Sequence, residues 1–232
     1  MTQLNLPREG DYYKLFTDAK TPNVLTSPLS SLFNDGRKPL SLEEYGARKH
    51  HILRQARTLV HEWCYEGFIT NDLILFDKTG NEVKIVPDGL DELLFQEIKK
   101  RGLGLTQGRL TFPDDLYQSL HGVRFPTSDL TSASGKFDTS HPNPVLFAFF
   151  KNQNGLSQYQ QNEIYYNQGL AAATGTPYDG KLSADFTSQP PTPSKQHSVV
   201  LLSIRKTNSF ALHSFGDFST KTECNFVGRI YP

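Results

Sequence analysis

Cysteine is nearly absent from this 232-residue chain: it has two, with one methionine and one tryptophan. Cys64 and Cys224 are far apart in sequence, so they form no disulfide framework, and a reducing compartment is the simplest expectation. An excess of one charge is also missing. Lysine plus arginine equals aspartate plus glutamate at 24 each, for a net charge of zero. That excludes a global electrostatic pull on nucleic acid or anionic membrane; any such binding must come from a local patch. No apolar run approaches the roughly 20 residues needed to cross a bilayer. The opening MTQLNLPREGDYYK lacks the charged-then-apolar pattern of a signal peptide. A soluble protein that folds inside the cell is therefore expected, cytoplasmic, with signal-less export as an effector or toxin left open.

Motifs for two common chemistries are absent as well. Zinc sites usually show close pairs such as Cys-x₂-Cys or His-x₃-His. Here only His61 and Cys64 are spaced to share a metal on a helix, and two more ligands would have to come from elsewhere. The glycines of Gly102-Leu-Gly104-Leu-Thr-Gln-Gly108 fit neither phosphate-loop pattern and follow a helix rather than a strand. No metal and no cofactor are implied.

What is present begins with Ser41 to Gly67. Ser41 with Glu44 three residues later is a capping box, and Gly67 stands where a helix ends. Between them Leu42, Tyr45, Ile52, Leu53, Ala56, Leu59, Val60 and Trp63 share one face. His50, Arg54, Arg57 and His61 recur at spacings of 4, 3 and 4 on another. At about 100° per residue they form a stripe about 60° wide. Two imidazoles and two guanidiniums in line suit a phosphate-bearing ligand, a nucleotide or nucleic acid. His50 and His61 lie about 16 Å apart along the axis and cannot both reach one phosphorus atom. The stripe therefore needs a second histidine from the strand region, His213 or His197, with Asp217 near His213 as a carboxylate partner. Ordinary pairing with Glu43 and Glu62 on a solvated face explains the same pattern.

Downstream, Leu73–Asp77 and Glu82–Val86 flank a glycine-containing turn and predict a hairpin. Pro87 to Gly102 predicts a helix capped by Asp88, with Leu90, Leu93, Leu94 and Ile98 on its apolar face and Lys99, Lys100 and Arg101 at its end. A short helix is expected from Asp114 to Leu120. Pro126 to Pro144 is polar and broken. Then come β-like runs at Val145–Phe150, Glu163–Tyr166, Lys181–Phe186, Ser198–Lys206, Ser209–Phe215 and Cys224–Tyr231. Residues 1–40 look irregular, save a short strand around Tyr12 to Phe16. The pattern predicts a single α+β domain over 1–232. Its parts are an irregular arm (1–40), a helix-rich layer (41–121) and a strand-rich part (145–232). The N-terminal helices should pack through Leu53, Ala56, Val60, Trp63, Leu93 and Leu94 on a mainly antiparallel sheet formed largely by the C-terminal half.

Two short motifs resemble catalytic elements. Pro87-Asp88 followed by Glu97-Ile98-Lys99 resembles the metal-dependent nuclease motif of the restriction-endonuclease-like family, in which Asp and Glu hold the metal and Lys assists attack. On a helix, however, the two carboxylates stand about 13 Å apart, too far for one ion. Gln161-Asn162-Glu163 resembles the Gln-x-Glu element of ADP-ribosyltransferases, which implies Glu163 as the group that stabilises the sugar cation. The resulting expectation is a hydrolase or transferase of phosphate-bearing substrates. His50, His61, His213 and Glu163 would be its catalytic groups, with Arg54 and Arg57 as phosphate grips. The alternative is a non-catalytic interaction or self-assembly module. Long polar loops, many aromatics, zero net charge and no compact catalytic motif favour it.

Overall fold

The computed structural model describes residues 13–18, 26–55, 68–103, 110–132, 135–137, 144–150, 182–185, 195–204, 211–215 and 224–230, with isolated positions at 157, 161, 168 and 175. Strand β1 (Tyr13–Asp18) is followed by α1 (Thr26–Asn34), β2 (Arg37–Pro39) and α2 (Leu42–Gln55). Next come β3 (Phe68–Phe76), β4 (Glu82–Val86), α3 (Glu92–Lys100), β5 (Leu110–Phe112) and α4 (Asp114–Ser119). Then follow β6 (Val123–Pro126), α5 (Thr127–Ser132), β7 (Gly135–Phe137), α6 (Pro144–Phe147) and β8 (Leu182–Asp185). The last strands are β9 (His197–Ile204), β10 (Ala211–Phe215) and β11 (Cys224–Ile230).

The strands form two sheets. A three-stranded sheet runs β1-β11-β2, and an eight-stranded one runs β6-β4-β3-β9-β10-β8-β7, with β5 paired to β9 beyond the end of β10. Pairing is antiparallel except between β8 and β10. The class is α+β, with early and late strands interleaved: β11 lies between β1 and β2, and β9 pairs with β3.

All nine residues of β3 are buried. Leu73 and Leu75 on one face join Val199 and Leu201 of β9, Leu94, Phe95 and Ile98 of α3, Phe33 of α1, and Phe16 and Phe226 of the small sheet. Phe33 and Phe95 pack with ring centroids 5.1 Å apart, which ties α1 to α3. Ile74 and Phe76, also fully buried, alternate to the opposite face.

Local expectations meet mixed outcomes. The capping box at the start of α2 is formed. Ser41 Oγ accepts from the Glu44 amide at 3.2 Å, and the Glu44 carboxylate accepts from the Ser41 amide at 3.1 Å. The hairpin forms as β3–β4, and the late strands β8 to β11 lie where the β-like runs predicted them. Residues 26–39, read as irregular, hold α1 and β2 instead. Val145–Phe150, read as a strand, opens with the helical turn α6; Pro144 fits the first turn of a helix.

Asp91, not Asp88, caps α3, its carboxylate accepting from the Leu94 amide at 2.8 Å. That later start changes which residues face the core. Phe95 is buried, whereas Leu93, expected on the apolar face, is 81% exposed. Asp88 sits in the preceding turn at φ 56, a left-handed conformation that aspartate tolerates better than most residues. Ala56, Val60 and Trp63 lie outside the described residues, as does the side chain of Leu53.

Candidate functional site

Among the described residues, two buried polar clusters sit at junctions between elements. The first lies where the two sheets meet. The β3–β9 register shifts between Ile69 and Leu73, and this bulge frees Asn71 and Asp72 from ordinary ladder pairing. The Asn71 amide donates to Leu40 O at 3.0 Å and its carbonyl accepts from Leu90 N at 2.9 Å. Its side-chain Nδ2 donates to Pro39 O at 2.9 Å and to Asp88 Oδ1 at 2.6 Å. The Asp88 carboxylate also takes the ammonium of Lys38, which is buried on β2.

Beside Asn71, the Asp72 carboxylate accepts from Leu42 N at 2.6 Å and Asp88 N at 2.9 Å. Complete burial pushes the Asp72 carboxyl up to about 6, and the Asp88 charge adds to that rise. Hydrogen bonds from Asp88 N, Leu42 N and the Thr70 side chain oppose it. One bulge thus holds the start of α2, the end of β2 and the turn after β4.

The second cluster lies under α4. Lys84, on the buried strand β4, donates to the carbonyls of Tyr117 at 2.6 Å and Leu120 at 3.1 Å and sits 3.8 Å from the Tyr117 ring centroid. It satisfies carbonyls that the end of a short helix leaves without partners. Burial, with Arg124 nearby, holds its pKa below the ordinary lysine range. The other face of Tyr117 stacks on His197, centroids 3.7 Å apart and planes 6° from parallel. Burial and the Glu82 carboxylate push the Tyr117 phenol up to about 12.

His197 Nε2 lies 2.8 Å from Asp114 Oδ1. Lys78, then His197, holds the Asp114 carboxyl below its usual range. This imidazole–carboxylate pair resembles half of a catalytic dyad. His197 Nδ1 is buried and, among the described residues, has no hydrogen-bond partner. The cluster clamps α4 onto β4 and β9. Sequence spacing gave no sign of it, because Asp114 and His197 are 83 residues apart and meet only through pairing of β5 with β9.

The residues singled out from the sequence are placed as follows. His50 and Arg54 lie on α2, and His213 lies on β10, in register with Asp185 of β8 and Ser203 of β9. Arg57, His61, Glu163 and Asp217 fall outside the described residues. Asp88 and Glu97 of the nuclease-like motif take separate roles: Asp88 binds Lys38 and Asn71, and Glu97 pairs with Arg101 along α3. Among the described residues no group of three or more histidine, cysteine or acidic side chains is placed to hold a metal. No helix among them is long and apolar enough to cross a membrane.

No family model and no curated protein matches the chain. Among solved structures it is similar to one described as the accommodation of massive sequence variation in Nanoarchaeota by the C-type lectin fold. The identity is 15%, over 94% of this chain and 97% of that one, with a TM-score of 0.61. The fold is C-type-lectin-like.

That finding corrects the enzymatic expectation. The likeness is to a C-type lectin fold, and it lends no support to phosphoester cleavage, to ADP-ribosyl or glycosyl transfer, or to a nucleotide or nucleic-acid partner. Short His/Arg and Gln-x-Glu patterns arise as readily on a solvated surface as in a site, so they carry little weight beside a fold match over nearly the whole chain.

Proposed function

We propose that this chain is a non-catalytic binding module with a C-type-lectin-like framework, whose recognition element is the polar, tyrosine-rich segment 151–180. The observation that carries the reading is the fold match over nearly the whole chain. Two features of the molecule support it. Both buried polar clusters are consumed in clamping elements together, which suits a rigid framework.

The second feature is the composition of residues 151–180. This stretch holds four tyrosines, four asparagines, five glutamines and four glycines against three charged residues. Tyrosine offers a large amphipathic contact area at small entropic cost, and asparagine and glycine adapt to a partner's hydrogen bonds. Its four described positions, Ser157, Gln161, Gln168 and Gly175, are all exposed. The related structure is described as a fold that accommodates massive sequence variation. That property suits a module whose surface can change while its clamps stay fixed.

The test replaces Tyr159, Tyr165, Tyr166 and Tyr178 with serine and compares both proteins on arrays of immobilised proteins and glycans. Binding by the parent chain that is lost in the variant at unchanged melting temperature is the expected result. Turnover of NAD, nucleotides or phosphodiesters by the purified chain overturns the module reading, and array binding that survives the four substitutions overturns the assignment of recognition to this segment.

A further inference from the structure

We infer that Lys38, Asn71 and Asp88 form an autocatalytic cross-link, in which the Lys38 amine displaces ammonia from the Asn71 side chain and joins β2 to β3 through an amide. A primary amine and a carboxamide are gathered on one carboxylate. The Lys38 ammonium pairs with Asp88, and Asn71 Nδ2 donates to Asp88 Oδ1 at 2.6 Å.

Lys38 is 7% exposed and Asn71 fully buried, so the two reacting groups, held on one carboxylate, are shielded from bulk water and hydrolysis is disfavoured. Asn71 is also held in place. Its backbone bonds to Leu40 and Leu90, and its Nδ2 bonds to Pro39 O. Its Oδ1 is buried and, among the described residues, has no hydrogen-bond partner.

The step balances without an oxidant or water. The Asp88 carboxylate takes a proton from the Lys38 ammonium, and the freed amine attacks Cγ of Asn71 to form the Nζ–Cγ bond. The tetrahedral adduct collapses by breaking the Cγ–Nδ2 bond. Asp88 relays protons from Nζ to Nδ2, which leaves as ammonium. One ammonium and one primary amide become one secondary amide and one ammonium, and Asp88 ends as it began. The product staples the three-stranded sheet to the eight-stranded one, a covalent role that the two cysteines of this chain were not expected to fill. It does not depend on the proposed binding role.

The test is the intact mass of the purified, denatured chain, followed by peptide mapping. The expected result is a mass one ammonia below that of the sequence and a branched peptide joining Lys38 to Asn71. Two variants should restore the full mass. Lys38→Arg keeps the ion pair but offers no attacking amine, and Asp88→Asn keeps a residue tolerant of the left-handed turn but removes the proton relay. A parent chain of full sequence mass overturns the inference even if neither variant folds. So does an ammonia loss that persists in Lys38→Arg, since ring closure at Asn154-Gly155 loses ammonia too and yields no branched peptide.

Discussion

Asp72 shows how one buried carboxylate couples the fold to pH. Unfolded, it titrates near 3.8; folded, burial raises it to about 6. Between about pH 4 and 6 the native state holds a proton that the unfolded chain has released. Stability therefore falls as pH rises through that window, by on the order of 3 kcal/mol for this group. Asp72→Asn should remove that part of the slope, read from urea unfolding at pH 4, 5, 6 and 7; an unchanged slope would assign it to other groups. Gly122 makes a second residue-scale prediction. A Cβ there would lie 2.3 Å from the Ile85 carbonyl oxygen and 2.9 Å from Val86 Cγ2. Backbone must move to admit it, so Gly122→Ala should cost about 1–3 kcal/mol, visible as a lower denaturant midpoint.

At the scale of elements, α4 is too short to persist by its own hydrogen bonds and depends on its attachments. Lys84 supplies two of them, through the carbonyls of Tyr117 and Leu120. Lys84→Met keeps the side chain's bulk but strands both carbonyls, and should cost about 2–4 kcal/mol with early loss of amide-exchange protection in 114–119. Helix α3 offers an internal comparison. Phe95→Ala should cost about 3–5 kcal/mol because the ring is buried, while Leu93→Lys, at an exposed site, should stay within about 0.5 kcal/mol. The cap explains why periodicity alone mistook Leu93 for a core residue. Four leucine and isoleucine positions were compatible with one face, and only the Asp91–Leu94 bond fixes where the helix begins.

At the scale of the whole molecule, both sheets share one core: Phe16 and Phe226 of the small sheet pack in the same cluster as Leu73 and Leu201 of the large one. The Asn71–Asp72 bulge adds polar ties between them. Equilibrium unfolding should therefore be a single transition, with far-UV and near-UV signals coincident in urea. Separate transitions would show that the sheets are not energetically coupled. Zero net charge gives no long-range steering, so any binding depends on local surface chemistry.

Composition and short-range pattern by themselves determined the α+β class, the capping box of Ser41 and Glu44, the β3–β4 hairpin and the late strands. These depend on residues a few positions apart, whose periodicity and turn chemistry are written locally. The tertiary structure alone decided that Lys38, Asn71 and Asp88 meet, that His197 stacks on Tyr117 beside Asp114, and that Asp88 serves a sheet junction rather than a helix cap. Those contacts join segments tens of residues apart. They arise from strand order and a register shift, which no local spacing encodes.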